Sequence, residues 1–438
     1  MSEPIYDLLG VGLGPFNLGL AALLEPISEV KALFLEQKPQ FQWHSGLLLE
    51  GSTIQVPFLA DLVTMADPCS RFSFLNYLRE QARLYHFYFW EEFHIPRREY
   101  NHYCQWVAGQ LESCRFGESV ESIIWQDGPE SHFEVRSRHA KSGEVRAYRA
   151  RHLSLGVGSV PQVPACFKDW LPAENIFHSA QFAQRRDRCR QAKSITVIGS
   201  GQSAAEVFYE LLQEQETCGY RLEWHTRSAG FFPMEYSKLG LEHFSPDYLH
   251  YFYHLAPEQR DRVLAQQGLL YKGISFSTIA QVYDLLYERS VGGHQPNVRL
   301  LPLVEVKEVE ALKHGATPNY RLRYRHRYQD APFTHETDCI ILATGYDHAI
   351  PQCVEGVRSL IQWDEQNRYV VQFDYRLALT KDIPNQIFVQ NAEMHTHGVG
   401  APDLGLGAHR NSVIINTLLK RSQYPVHQHN VFQQFGVA

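Results

Sequence analysis

Two copies of one local pattern, an apolar run followed by a glycine-rich turn and an amphipathic helix, place this sequence in the α/β class. The first runs from Ile5 to Leu9, turns through glycines and continues as a helix through Leu18, Ala21, Ala22 and Leu24. It returns as a second apolar run ending at Glu36. The second copy has an apolar run from Ile195 to Ile198, a glycine turn, a helix through Ala205, Val207, Phe208, Leu211 and Leu212, and a strand ending near Arg227. The third observation is the aromatic, helix-patterned stretch from Phe231 to Glu288, which reads as a small inserted subdomain.

The remaining elements follow in order. Phe133–Val135 and Val145–Leu155 alternate apolar and polar residues around Lys141-Ser142-Gly143, the signature of a hairpin closing the first unit. Strand-like runs return at Val304–Val309, Tyr320–Tyr324 and Cys339–Leu342, and Asn411–Lys420 is helical in pattern. The expected division is a first unit of residues 1–160 and 340–438, a second of 161–230 and 290–339, and a helical substrate subdomain at 231–289.

Composition narrows the function. The 438 residues are 44% hydrophobic and 20% charged, which is globular rather than disordered. Lys plus Arg is 41 against 48 for Asp plus Glu, and no basic run could neutralise a row of phosphates, so nucleic acid is excluded as a partner. The eight cysteines never come closer than ten positions, which encodes neither a CxxC redox pair nor a zinc cluster. Reduced thiols in a cytoplasmic protein are expected. The uncharged stretch Leu8–Leu24 carries several glycines, Pro15 and Asn17 and no basic leader, so neither a membrane span nor a signal peptide is expected. His395 and His397 alternate in a loop with no third ligand at metal spacing, and no metal is expected.

The glycine turns carry the chemistry. Gly10, Gly12 and Gly14, with Pro15 opening the helix, let a pyrophosphate approach backbone N–H groups at a helix N-terminus. The third glycine stands one position early for GxGxxG, but Glu36 at the end of the next strand suits a ribose diol. In the second turn, Gly199, Gly201, Gln202 and Ser203 lead to Ala204 in place of the third glycine. There the next strand ends at Arg227, whose guanidinium suits a 2′-phosphate and favours NADPH over NADH. Two dinucleotide sites in one chain imply two redox cofactors, FAD in the first and NADPH in the second. Without a thiol pair, molecular oxygen is the remaining electron acceptor.

An ordered set of segments resembles the microbial N-hydroxylating flavin monooxygenases of siderophore pathways. It comprises Gly10–Asn17 (GVGLGPFN), Trp43-His44, Phe58–Val63 (FLADLV), Gly199–Ser203, Leu342–Tyr346 (LATGY) and the region His395–Leu406, and it spans nearly the whole chain. The resemblance implies two Rossmann-like dinucleotide-binding domains, for FAD and NADPH, with a helical substrate subdomain. It also implies a reaction through a C4a-hydroperoxyflavin that converts a primary amine into a hydroxylamine. Trp43, His44, Thr344, Tyr346 and Leu404 are carried over as cofactor-pocket residues. Arg97 matches an arginine that the family keeps near the flavin, in reach of a cofactor phosphate. Gln55 stands near the position of an amide over the isoalloxazine, and Asn391 is a candidate to orient the amine.

Ala60 departs from the family pattern. Members acting on lysine or ornithine carry Lys in the Phe-Leu-x-Asp-Leu-Val segment, where the ammonium pairs with the substrate carboxylate. A methyl group offers none, and an unpaired buried carboxylate is costly. The expected substrate is a diamine, cadaverine or putrescine, and its second ammonium wants an acid. Glu393 and Asp403 are the candidates, each also able to serve as a plain helix-cap or surface carboxylate. The alternatives are L-lysine or L-ornithine N-hydroxylation, and an NADPH-dependent flavin reductase. A homo-oligomer, dimer or tetramer, is expected.

Overall fold

The computed structural model describes residues 4–312 and 319–437. Strand β1 (Ile5–Val11), helix α1 (Pro15–Leu24) and strand β2 (Ala32–Glu36) form the first βαβ unit, with Leu9 opposite Leu33 in a parallel pair. Helix α1 is apolar nearly all round because both faces are covered. Leu18, Leu20 and Leu23 share one core with Tyr100, Tyr103 and Val107 of helix α2 (Arg97–Ala108) and with Ile414 and Ile415 near the C-terminus. Strands β3 (Cys114–Phe116), β4 (Glu118–Gln126), β5 (His132–His139) and β6 (Val145–Leu155) complete the path β3-β2-β1-β6-β5-β4. β5 and β6 are the antiparallel hairpin read from the sequence.

The second unit contains β7 (Ile176–His178), β8 (Ser194–Ile198), helix α3 (Gln202–Cys218), β9 (Arg221–His225), helix α4 (Phe276–Arg289) and β10 (Val298–Leu301). A three-stranded antiparallel sheet follows, β11 (Val304–Leu312), β12 (Asn319–His326) and β13 (Pro332–Thr337). The chain then returns to the parallel sheet as β14 (Cys339–Leu342), giving the order β10-β9-β8-β14-β7. Later, β15 (Ile387–Val389) adds to the first sheet beside β6, and helix α5 (Gly407–Leu419) packs on α1.

Two boundaries differ from the sequence reading. The division at 339/340 cuts through β14, which pairs with β8 and β7 and so belongs wholly to the second sheet. A short strand buried on both faces carries no period that tells one parallel sheet from another. The return to the first unit comes after Ala343, where Tyr346-Asp347 pairs with Val160-Pro161. The stretch 231–289 is divided between two cores. Ile279, Val282, Leu285 and Leu286 of α4 pack with Phe208, Leu211 and Leu222 of the second unit. Tyr248 and Phe252 pack instead with Phe244, Tyr251, Leu264 and Leu270 of the stretch itself, joined by Val399 and Phe435 from the C-terminal region.

Candidate active-site cleft

A cleft of about 2470 Å³ lies at the carboxyl ends of both parallel sheets, where β1, β2, β6, β8, β9 and β14 deliver their loops. This is where open α/β sheets bind ligands. Gly12 has φ +82°, and a Cβ there would stand 2.6 Å from the carbonyl oxygen of Gly156, so only glycine fits. Gly14 caps α1, Pro15 is its first residue, and the space beside Gly14 is open. Gly10 does not reach the cleft, because β1 continues to Val11 and holds Gly10 within the sheet opposite Phe34. The Glu36 carboxylate accepts the Leu13 N–H at 2.9 Å and the Lys38 N–H at 2.9 Å, which fixes it beside the first turn.

Asn17 was not singled out in the sequence, although an amide inside an apolar helix is the available signal. Fully buried, its Nδ2 donates to the Gly12 carbonyl at 2.7 Å, and its Oδ1 accepts from Ser154 Oγ at 2.8 Å and Gln390 Nε2 at 2.7 Å. The glycine turn is thus tied to β6 and to the end of β15.

In the second turn, Gly199 has φ +146°, and a Cβ would meet the Ala343 carbonyl oxygen at 2.1 Å. Gly201 caps α3, and Ser203 and Arg227 line the cleft, Arg227 exposed just past β9. Ser200 and Ser228 share a hydroxyl hydrogen bond of 2.8 Å between the two loops. Gln202 borders the cleft too, but its amide is committed elsewhere. Its Nε2 donates to Glu206 and Thr278, and its Oε1 accepts the Ser275 N–H.

Between the turns stand Trp43, His44, Thr344 and Tyr346. Burial, assisted by the Arg97 and Lys38 charges, lowers His44 to about 4, so its ring is neutral. That ring lies edge-on to Trp43 at 4.7 Å and to Tyr346 at 5.8 Å. Thr344 Oγ1 donates to the Gln162 carbonyl at 2.5 Å, which ties the two connecting segments together.

At the first-unit end of the cleft, Gln55 Nε2 and Asn391 Oδ1 are buried without a hydrogen-bond partner among the described residues, one a donor and the other an acceptor. Unpaired buried amides are costly unless something else fills the space beside them. Ala60, Asp403 and Leu404 line the same region. A Cβ built on Gly405 would lie 3.8 Å from the Ala60 methyl and 2.8 Å from Asp403 Oδ1, so Ala60 and the Asp403 carboxylate flank one glycine. Asp403 Oδ1 accepts the Gly405 N–H at 2.7 Å, and burial raises its pKa to about 6. Tyr236, from the aromatic stretch expected to form the inserted subdomain, borders this pocket and donates its hydroxyl to the Gln55 carbonyl at 3.3 Å. Burial and the Asp403 charge push Tyr236 up to about 12. Among the described residues lining the cleft, the lysines and arginines are Lys38, Arg227 and Lys272, which follow β2, follow β9 and lie near Gly201, respectively.

Besides Gly10, two expected site residues are corrected. Arg97 does not line the cleft; its guanidinium meets Glu206 of α3 at 2.6 and 2.8 Å and the Leu47 carbonyl at 3.1 Å. Glu393 is fully buried away from the cleft, paired with Arg410 at 2.9 Å and accepting the Ala392 N–H at 2.7 Å. In both cases an ion partner on another element holds the side chain, and no local pattern reveals it. Among the described residues no cluster of three or more His, Cys, Asp or Glu could hold a metal, and no helix is long and apolar enough to cross a membrane.

The residues present fit two dinucleotides: the Gly12 turn backs tightly onto Gly156 with open space beside Gly14, the Gly199 turn backs as tightly onto Ala343, and the unpaired Gln55 and Asn391 amides line the cleft they share. Fold and cleft therefore define an oxidoreductase with two dinucleotide-binding units. More narrowly, the chain belongs to the L-lysine 6-monooxygenase/L-ornithine 5-monooxygenase family, whose description matches residues 4–348. It is 50% identical to the rhizobactin siderophore biosynthesis protein RhbE of Rhizobium meliloti, over 99% of this chain and 95% of that one. It is 43% identical to a putrescine N-hydroxylase of Shewanella oneidensis, over 100% of this chain and 85% of the relative. The FAD-bound crystal structure of DfoA, the cadaverine monooxygenase of desferrioxamine biosynthesis in Erwinia amylovora, superposes with a TM-score of 0.94. It is 42% identical, covering 100% of this chain and 99% of that one.

Proposed function

We propose that this chain is a flavin-dependent monooxygenase that hydroxylates one primary amine of an aliphatic diamine, putrescine or cadaverine, in siderophore biosynthesis. FAD and NADPH are its cofactors. Together they supply the electrons that divide O₂ between the substrate nitrogen and water. Gly12, Gly14, Pro15, Glu36, Trp43 and His44 hold FAD, and Gly199, Gly201, Ser203 and Arg227 hold NADPH. Gly10 and Gln202 act behind the loops as packing and support, and Thr344, Tyr346 and Leu404 form the wall between.

The observation that carries the substrate class is the pairing of the Ala60 methyl with the half-buried Asp403 carboxylate around Gly405. A carboxylate-bearing amino acid would meet like charge there and, among the described residues, no cation. A diamine's second ammonium meets an acceptor. Its reacting nitrogen must be neutral, although a free alkylamine has a pKa of about 10.4. Asn391 Oδ1 accepts an N–H of the neutral amine, and Gln55 Nε2 donates beside it.

The test is product analysis with purified holoenzyme, NADPH and O₂. Hydroxylamine formed from putrescine or cadaverine in preference to lysine and ornithine supports the reading; the reverse preference defeats the Ala60 argument. NADPH oxidation without any hydroxylamine would make the chain a flavin reductase.

The proposed assembly is a homo-oligomer, supported by Tyr85, Tyr88, Phe89 and Phe93, which are 75%, 69%, 75% and 57% exposed on one surface segment. A cytoplasmic location is supported by eight unpaired cysteines, half of them buried.

A further inference from the structure

We propose that Arg97 and Glu206 form an interdomain latch that sets the position of the second glycine turn relative to the first unit. They would be positioning residues for NADPH capture that touch neither cofactor nor substrate. This rests on reading the second unit as the nucleotide site.

Arg97 opens α2 in the first unit, and its own N–H is fixed to the Ser52 carbonyl at 2.9 Å. Its guanidinium meets both carboxylate oxygens of Glu206 on α3, the helix that starts at the second turn, and both side chains are under 10% exposed. Glu206 Oε1 also accepts Gln202 Nε2 at 2.9 Å. Gln202 in turn holds Thr278 Oγ1 at 3.0 Å and the Ser275 N–H at 2.7 Å, and Ser275 caps α4. One polar chain therefore links the first unit, the first turn of α3 and the helical stretch, and Gln202 follows Gly201 directly.

The two sheets are also joined through the segments that contain the short Val160-Pro161 and Tyr346-Asp347 pair, and Leu47 and Leu49 of the first unit pack in the second unit's core with Phe177 and Phe182. Connectors and non-directional apolar contacts of that kind leave room for small rotations, which a directional contact between the units stops. A buried ion pair adds little net stability over an apolar pair of the same volume, but its two-point geometry admits one arrangement. That property selects one interdomain angle. If losing the pair cuts the competent population to about a tenth, the apparent Kd for nucleotide rises about tenfold.

The experiment uses FAD-loaded protein with NADP⁺ as the probe. It measures the NADP⁺ Kd by titration calorimetry, the interdomain geometry by small-angle X-ray scattering, and the thermal midpoint. E206Q is expected to raise the Kd about tenfold and broaden the scattering-derived distance distribution while FAD content stays unchanged. R97E/E206R, which rebuilds the pair in reverse, is expected to recover a substantial part of the affinity. R97K keeps the charge but loses the two-point grip, and it serves as the second variant should E206Q fail to fold; an intermediate Kd is expected. A lowered thermal midpoint with NADP⁺ Kd and scattering unchanged in E206Q or R97K would overturn the latch and leave a purely structural pair. Failure of the unaltered holoenzyme to bind NADP⁺ would instead overturn the nucleotide reading itself.

Discussion

Replacing Asp403 with Asn isolates the charge that the diamine reading depends on. The amide keeps an oxygen where Asp403 Oδ1 accepts the Gly405 N–H at 2.7 Å, so the turn beside Ala60 is retained while the negative charge is lost. A charge-assisted hydrogen bond to an ammonium contributes roughly 1.5–3 kcal/mol, equivalent to an increase of about 10- to 150-fold in KM for putrescine or cadaverine. A monoamine of the same length makes no such contact, and its KM is expected to stay put. Hydroxylamine formation against substrate concentration, diamine beside monoamine, reads both. The pH dependence carries a sign as well. With the Asp403 pKa raised to about 6, the carboxylate is charged above that pH, so the diamine KM should climb as pH falls through 6. D403N should lack that step. Stability runs the other way: a carboxyl whose folded pKa lies above its unfolded value favours folding at low pH, and that contribution is lost as pH rises through about 6. D403N is therefore expected to hold or gain thermal midpoint at pH 7.5. An unchanged diamine KM, or an equal loss with the monoamine, would refute the reasoning.

Ala60→Lys puts an ammonium beside the same glycine; diamine turnover should drop at least about tenfold, with lysine or ornithine gaining relative to it in a competition assay. Arg227→Ala removes the guanidinium past β9, and the NADPH KM should rise about 10- to 100-fold while the NADH KM stays constant, measured by flavin reduction. Gly12→Ala forces a Cβ to within 2.6 Å of the Gly156 carbonyl oxygen at φ +82°. About 1–3 kcal/mol of strain and loss of bound flavin are expected, read from the thermal midpoint and the visible flavin absorbance of the purified protein.

The two glycine turns and the strands around them were legible in the sequence, as was the place of Glu36 at the end of β2 and of Arg227 just past β9, because each rests on local chemistry: a backbone that must turn tightly, a helix N-terminus, and the end of the next strand. Ala60 was legible too, as a departure within a recognisable segment. The tertiary structure decided the rest. Nothing near Arg97 or Glu393 in sequence announces Glu206 or Arg410, yet those partners turn two expected ligand contacts into buried ion pairs. The strand Cys339–Leu342 has the same apolar pattern whichever sheet receives it, and pairing alone assigned it to the second. Tyr236 came to the Gln55 loop only because the helical stretch folds back across the cleft. Sequence dictates conformation where the deciding forces act within a few residues; which distant charges and faces meet depends on how the sheets and helices stack.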